Sequence, residues 1–139
     1  MNATRPESGV RNGTLDQDPL RANTLLVDRM GLLSRLYKYG DIAYVGGGFG
    51  SGIHNVLEPA AWGKPVIFGP DHERFAEAAG LIEVGGGFAV RDAAELQSLL
   101  QAFTTDPHRL SAASEAARRY VIDRTGATRI VVKMISAQL

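Results

Sequence analysis

The chain has 139 residues, 15 Lys+Arg balanced by 15 Asp+Glu, no Cys, and 45% hydrophobic against 22% charged residues. That is one ordinary globular domain, and zero net charge argues against a strongly basic nucleic-acid binder. The lack of Cys excludes disulfides, thiolate metal sites and cysteine nucleophiles, and no apolar run reaches the roughly 18–20 residues of a membrane span. Residues 1–23 are polar and rich in Asn, Asp, Gly and Pro, so they are expected to form a mobile lead-in without a signal-peptide core. Thr24–Asp28 reads as a buried strand. Leu32, Leu33, Leu36, Tyr37 and Tyr39 recur at near-helical spacing, with Gly40 as a stop. Ile42–Val45 is a second strand that runs directly into glycine. A helix is predicted from about Asn55 to Gly63, with Trp62 in the core, and Pro65–Phe68 is a third strand ended by Gly69-Pro70. A short helix follows over Glu73–Ala79, then a glycine connection at Gly85–Gly87 and a fourth strand at Phe88–Val90. Asp92 caps a helix to about Phe103, with Glu95 at the capping-box position. Asp106-Pro107 starts another helix, whose buried face is Leu110, Ala113, Ala117, Tyr120 and Val121. Gly126 breaks the chain before a terminal helix over 127–138.

Short apolar strands alternating with helices predict an α/β fold with a parallel sheet of four strands and one domain from residue 24 onward. In such sheets ligands bind beyond the carboxyl ends of the strands. The segment Tyr44-Val45-Gly46-Gly47-Gly48-Phe49-Gly50-Ser51-Gly52-Ile53-His54-Asn55 is strand, glycine loop and helix start. Glycines there let a backbone approach a ligand, and a helix N-terminus favours an anion. The G-x-G-x-x-G pattern fails, because its last position is Ser51 counted from Gly46 and Ile53 counted from Gly48. The P-loop pattern fails because Gly63-Lys64 is followed by Pro65.

Each feature also has a plain reading. The glycines fit a tight turn. Asn55 and Glu58 have the N-x-x-E spacing of a capping box. Phe68–Phe75, beside the glycine loop at the same sheet edge, fits a Gly-Pro turn with a solvated helix start. His54 and His72 could approach each other there, but without Cys they make a poor metal set, and His108 has no partner in sight. The Arg and Lys residues of 107–139 fit a solvated helix face, with a basic membrane- or partner-facing surface as the alternative.

The run Asp28-x-x-Gly31-x-Leu33, Tyr37, Gly40–Phe49, Gly52-Ile53-His54-Asn55-x-Leu57-Glu58-Pro59-Ala60 and Gly63-x-Pro65-Val66-Ile67-x-Gly69-Pro70 resembles the 3-deoxy-D-manno-octulosonic acid (Kdo) transferases. The resemblance continues through Phe75-x-Glu77-Ala78, Leu81-Ile82 and Gly126-Ala127, covering about residues 24–139. It implies a GT-B fold of two Rossmann-like domains, of which this chain is the last part of the C-terminal, donor-binding one: a short parallel sheet with flanking helices. The donor implied is CMP-Kdo, the acceptor a lipid A precursor in the full-length enzyme, and the chemistry attack of a sugar hydroxyl on the anomeric carbon with CMP leaving.

Gly47, Gly48, His54, Asn55 and Glu58 match the family's donor-site block and are the expected substrate-binding residues. No catalytic residue, metal or cofactor is expected on this chain, because the family's general base belongs to the N-terminal domain. The expected location is cytoplasmic, with full-length members at the cytoplasmic face of the inner membrane. The rivals are a catalytically silent nucleotide- or sugar-binding module and an inert fragment of such an enzyme.

Overall fold

Three apolar runs of two or three residues pair into one parallel sheet because each is followed by a helix long enough to return the chain to the same end. The structure, a computed structural model, describes residues 24–28, 31–50, 52–126 and 133–136. Its element order is α1 (Leu33–Leu36), a 3-10 turn (Tyr37–Tyr39), β1 (Ala43–Tyr44), α2 (Leu57–Ala61), β2 (Val66–Phe68), α3 (Ala76–Glu83), β3 (Gly87–Ala89), α4 (Ala93–Thr105) and α5 (Pro107–Arg124). The strands lie in the order β1-β2-β3, with Ala43 beside Val66, and Ile67 beside Phe88. The α/β class and the parallel sheet are as the sequence predicts.

The central strand is covered on both faces: Val66, Ile67 and Phe68 have no exposed surface. That burial is why this strand reads as a continuous apolar run and shows no alternation. Val66 and Phe68 pack with Val56 and Ala60 around α2, Ala78 and Leu81 of α3, and Ala117 and Tyr120 of α5. Phe88, beside Ile67 in the ladder, meets the ring of Phe103 on α4 edge-on at 5.2 Å. Ala113, Ala117 and Tyr120 are buried along α5, on the face the periodicity predicts.

The chain divides into two units, Met1–Met30 and Gly31–Leu139. In the first, residues 24–28 adopt no regular structure, and Leu25 and Leu26 are 79% and 89% exposed. This corrects the expected strand at Thr24–Asp28, and among the described residues the sheet has three strands in place of four. A short apolar run becomes a strand only with a ladder partner, which local pattern does not supply. The lead-in at 1–23 lies outside the described residues, as does most of the terminal helix at 127–138, of which 133–136 are helical.

Helix boundaries show where local signals are strong. Asp92 accepts the N–H of Glu95 at 2.8 Å, and Asp106 accepts from His108 and Arg109 at 3.0 and 3.1 Å. Both caps are as predicted, with one change. Glu95 reaches back to the N–H of Arg91 at 2.8 Å and to its guanidinium, leaving the Asp92 N–H that a capping box would take. One helix and one core residue are also misjudged from sequence. The helix expected over Glu73–Ala79 is Ala76–Glu83, because Glu73 and Arg74 belong to a turn closed by Phe75 N–H donating to His72 O at 2.9 Å. Gly80 does not stop it, since Tyr120 of α5 fills the space where a Gly80 side chain would go. The stop comes at Val84, where Gly85 takes a φ of +78° and the Gly86 N–H closes onto Leu81 O at 2.8 Å. Trp62, expected in the core, is 47% exposed, because it is the C-cap residue of α2 and lies past the buried Pro59 and Ala60.

Candidate functional site

The carboxyl ends of β1 and β2 release two loops that touch. The first, Gly46–Asn55, folds back on itself: Gly48 N–H donates to Gly52 O at 2.9 Å, His54 N–H donates to Gly46 O at 3.2 Å, and Gly47 bridges Ile53. Its backbone is therefore engaged with itself at Gly48 and His54. The second, Gly69–Phe75, is fastened to the first through Asp71 N–H, which donates to Gly48 O at 2.9 Å. Gly48 has φ +77°, and a Cβ there would lie 2.8 Å from Gly69 Cα. The crossing thus requires glycine for both conformation and space. The expected adjacency of the two loops at one sheet edge is observed.

Of the five sequence-nominated residues, Gly47 and Gly48 build this crossing. His54, exposed, follows it, its ring carbon Cδ2 3.8 Å from where a Gly46 Cβ would be. Asn55 and Glu58 form a pair. Asn55 Oδ1 accepts Leu57 N–H at 3.0 Å, and Asn55 Nδ2 donates to Glu58 Oε1 at 3.0 Å. This is a capping arrangement related to the predicted box, but the link runs side chain to side chain, and α2 begins at Leu57. With only five residues, α2 carries little dipole, so the anion attraction expected of its N-terminus is small. Glu58 Oε2 remains open to accept hydroxyl hydrogens. Glu58 also acts on a neighbour: burial first and the Glu58 charge second hold the Tyr37 phenol above its ordinary range.

Two cavities flank the crossing. One of about 410 Å³ is lined by Gly50, Gly52, Pro70, Asp71, Glu73, Arg74 and Phe75. The other, about 250 Å³, is lined by Ile53, His54, Asn55, Val56, Leu57, Phe75 and Glu77. Phe75 is the wall common to both. Its ring lies against Gly52, where a Cβ would sit 2.8 Å from Cζ. Arg74 and Phe75 were not singled out from sequence as binding residues, although their turn was. The signal available was the aromatic-cation pair immediately before a helix at a strand end. His72 lines a different groove, with Phe88 and Val90, so His54 and His72 do not share a cavity. Among the described residues no group of three or more His, Asp or Glu is arranged to hold a metal ion, and no helix is long and apolar enough to cross a membrane.

The crystal structure of the C-terminal CMP-Kdo binding domain of WaaA from Acinetobacter baumannii shares the fold. Its TM-score is 0.62 at 24% identity, over 68% of this chain and 51% of that one. The short open parallel sheet with its flanking helices therefore matches the fold of a GT-B C-terminal domain. No protein-family model matches the chain. A 3-deoxy-D-manno-octulosonic acid transferase of Aquifex aeolicus is 45% identical over 83 residues, 58% of this chain and 24% of that protein. One from Bordetella pertussis is 37% identical over 109 residues, 77% of this chain and 26% of that protein. The chain is a member of the Kdo transferase family and corresponds to its C-terminal part. It spans about a quarter of the length of the curated relatives it matches.

Proposed function

We propose that the chain is the donor-binding C-terminal part of a glycosyltransferase that moves Kdo from CMP-Kdo to a lipid A precursor, working at the cytoplasmic face of the inner membrane. The observation that carries this reading is the fastening of the Gly46–Asn55 loop to the Gly69–Phe75 turn at the carboxyl edge of the sheet. It brings the family-matching residues His54, Asn55 and Glu58 to the place where open α/β sheets bind ligands. In this reading Glu58 accepts donor hydroxyls and Asn55 holds Glu58 in position. Gly47 and Gly48 set the loop geometry, and His54 lines the smaller cavity. The donor-binding part in this reading is the unit Gly31–Leu139. The protein supplies positioning, and the acceptor hydroxyl attacks the anomeric carbon as CMP leaves.

The test is an NMR titration of the 139-residue chain with CMP-Kdo. Affinity roughly in the millimolar range is expected, with amide shifts concentrated between Gly46 and Glu58. No shift there at several times the expected constant, roughly several millimolar, defeats the reading in favour of an inert fragment.

A further inference from the structure

The larger of the two cavities holds a cation that nothing in the fold uses. Arg74 lines it together with Asp71 and Glu73, yet makes no hydrogen bond or ion pair among the described residues, even with these two carboxylates beside it. Several other arginines are engaged, Arg91 with Glu95, Arg119 with Glu115, and Arg124 over the Tyr120 ring at 3.7 Å; Arg35 and Arg118 are also unpaired among the described residues, but neither lines a cavity at the strand ends. The backbone that carries Arg74 is held in place. His72 N–H donates to Pro70 O at 2.8 Å, Phe75 N–H donates to His72 O at 2.9 Å, and Asp71 N–H is fixed to the glycine loop. An unspent guanidinium on a fastened turn is a planar fork of donors that suits a phosphate or carboxylate. Next to it, the Phe75 ring, braced on Gly52, gives the cavity an apolar wall.

We propose that Arg74 is a specificity-determining contact of the donor site, pairing with an anionic oxygen group of the nucleotide sugar. This rests on the donor-binding reading above. The anion is either the phosphate or the sugar carboxylate, and the fork of Arg74 takes both by the same chemistry. Asp71 and Glu73 sharpen the choice. One cation against two carboxylates in the lining gives the cavity a negative surplus, so a bare anion is disfavoured. A ligand that brings hydroxyls for the carboxylates as well as an anion for Arg74 is favoured.

The experiment is an NMR titration of the full 139-residue chain and of Arg74→Ala and Arg74→Lys, with CMP, free Kdo, neutral cytidine and inorganic phosphate as separate probes. In the wild type, CMP or Kdo is expected to shift the amides of Gly50, Gly52, Arg74 and Phe75, and phosphate alone to bind more weakly. Arg74→Ala is expected to weaken the charged probe by about 10- to 100-fold and leave cytidine unchanged. Arg74→Lys, which keeps the charge without the fork, retains part of the affinity. The arm that loses affinity, CMP or Kdo, identifies the anion. If Arg74→Ala binds CMP and Kdo like the wild type while shifts at His54–Glu58 persist, the role of Arg74 is overturned and donor binding stands. If the wild type shows no shift with CMP, Kdo or intact CMP-Kdo, donor binding fails and takes the role of Arg74 with it.

Discussion

Asp71 donates its backbone N–H to the carbonyl oxygen of Gly48 at 2.9 Å, joining the loop after β1 to the loop after β2. This bond exists only because Gly48 and Gly69 lack side chains. Gly48→Ala places a Cβ 2.8 Å from Gly69 Cα at a φ of +77°. It is expected to destabilise the fold by about 2–4 kcal/mol. Urea unfolding followed by circular dichroism checks this. A midpoint unchanged from wild type would show that the crossing opens without cost.

Asn55 and Glu58 separate capping from binding. Asn55→Ala removes the acceptor for Leu57 N–H and is expected to cost about 0.5–2 kcal/mol. Glu58→Gln keeps a hydrogen-bonding group beside Asn55 and should change stability by less than about 0.5 kcal/mol. It should nevertheless weaken CMP-Kdo binding, because the charged acceptor for hydroxyls is gone. Equal binding by Glu58→Gln and wild type would leave Glu58 as a cap only.

Asp106 serves two N–H groups at the start of the longest helix among the described residues. Asp106→Ala is expected to cost about 1–2 kcal/mol, and Asp106→Asn much less, because the amide oxygen still caps. Thermal unfolding of both variants is the measurement. A similar loss in both would assign the effect to charge and not to the cap.

The Arg91–Glu95 pair has a pH signature. Hydrogen bonds from Arg91 hold the Glu95 carboxyl below its ordinary range. A lowered folded-state value means that the pair's contribution is fully present above the unfolded glutamate value. It is lost as pH falls through the folded one. Both side chains are well solvated, so the effect is small. A carbon-13 titration of the Glu95 carboxyl should show a lowered midpoint that returns to the ordinary range in Arg91→Gln. An unchanged midpoint in that variant would dissociate the shift from Arg91.

With about a quarter of the length of its relatives, the 139-residue chain by itself is expected not to transfer Kdo from CMP-Kdo to a lipid A precursor. Incubation with donor and acceptor decides it, and turnover near that of a full-length enzyme would overturn the expectation.

How far the sequence could be read follows the range of the forces involved. The starts of α4 and α5 were legible because a cap is made within three residues: Asp92 reaches Glu95, and Asp106 reaches Arg109. The adjacency of the two loops was legible because parallel neighbours must release their chains at the same end. The continuation of α3 through Gly80 was not, since the reason is Tyr120, far along the chain. Residues 24–28 failed for the same cause, as a strand is defined by its neighbour. At the site, the block around His54–Glu58 could be nominated by pattern. Arg74 could not, because its meaning depends on being unpaired in a cavity that appears only when Gly52 and Phe75 meet.

Trp62 is the single tryptophan of the chain and stands half exposed at the C-terminal end of α2, next to Gly63, which lies against Arg118 and Ser114 of α5. Glu58 stands four residues before Trp62, about one helical turn away. Intrinsic fluorescence therefore reports both the docking of α2 on α5 and changes around Glu58. An emission change on adding a nucleotide would therefore register an event at α2, at Glu58 or against α5, and is not by itself a measure of occupancy of the cavity beside Arg74.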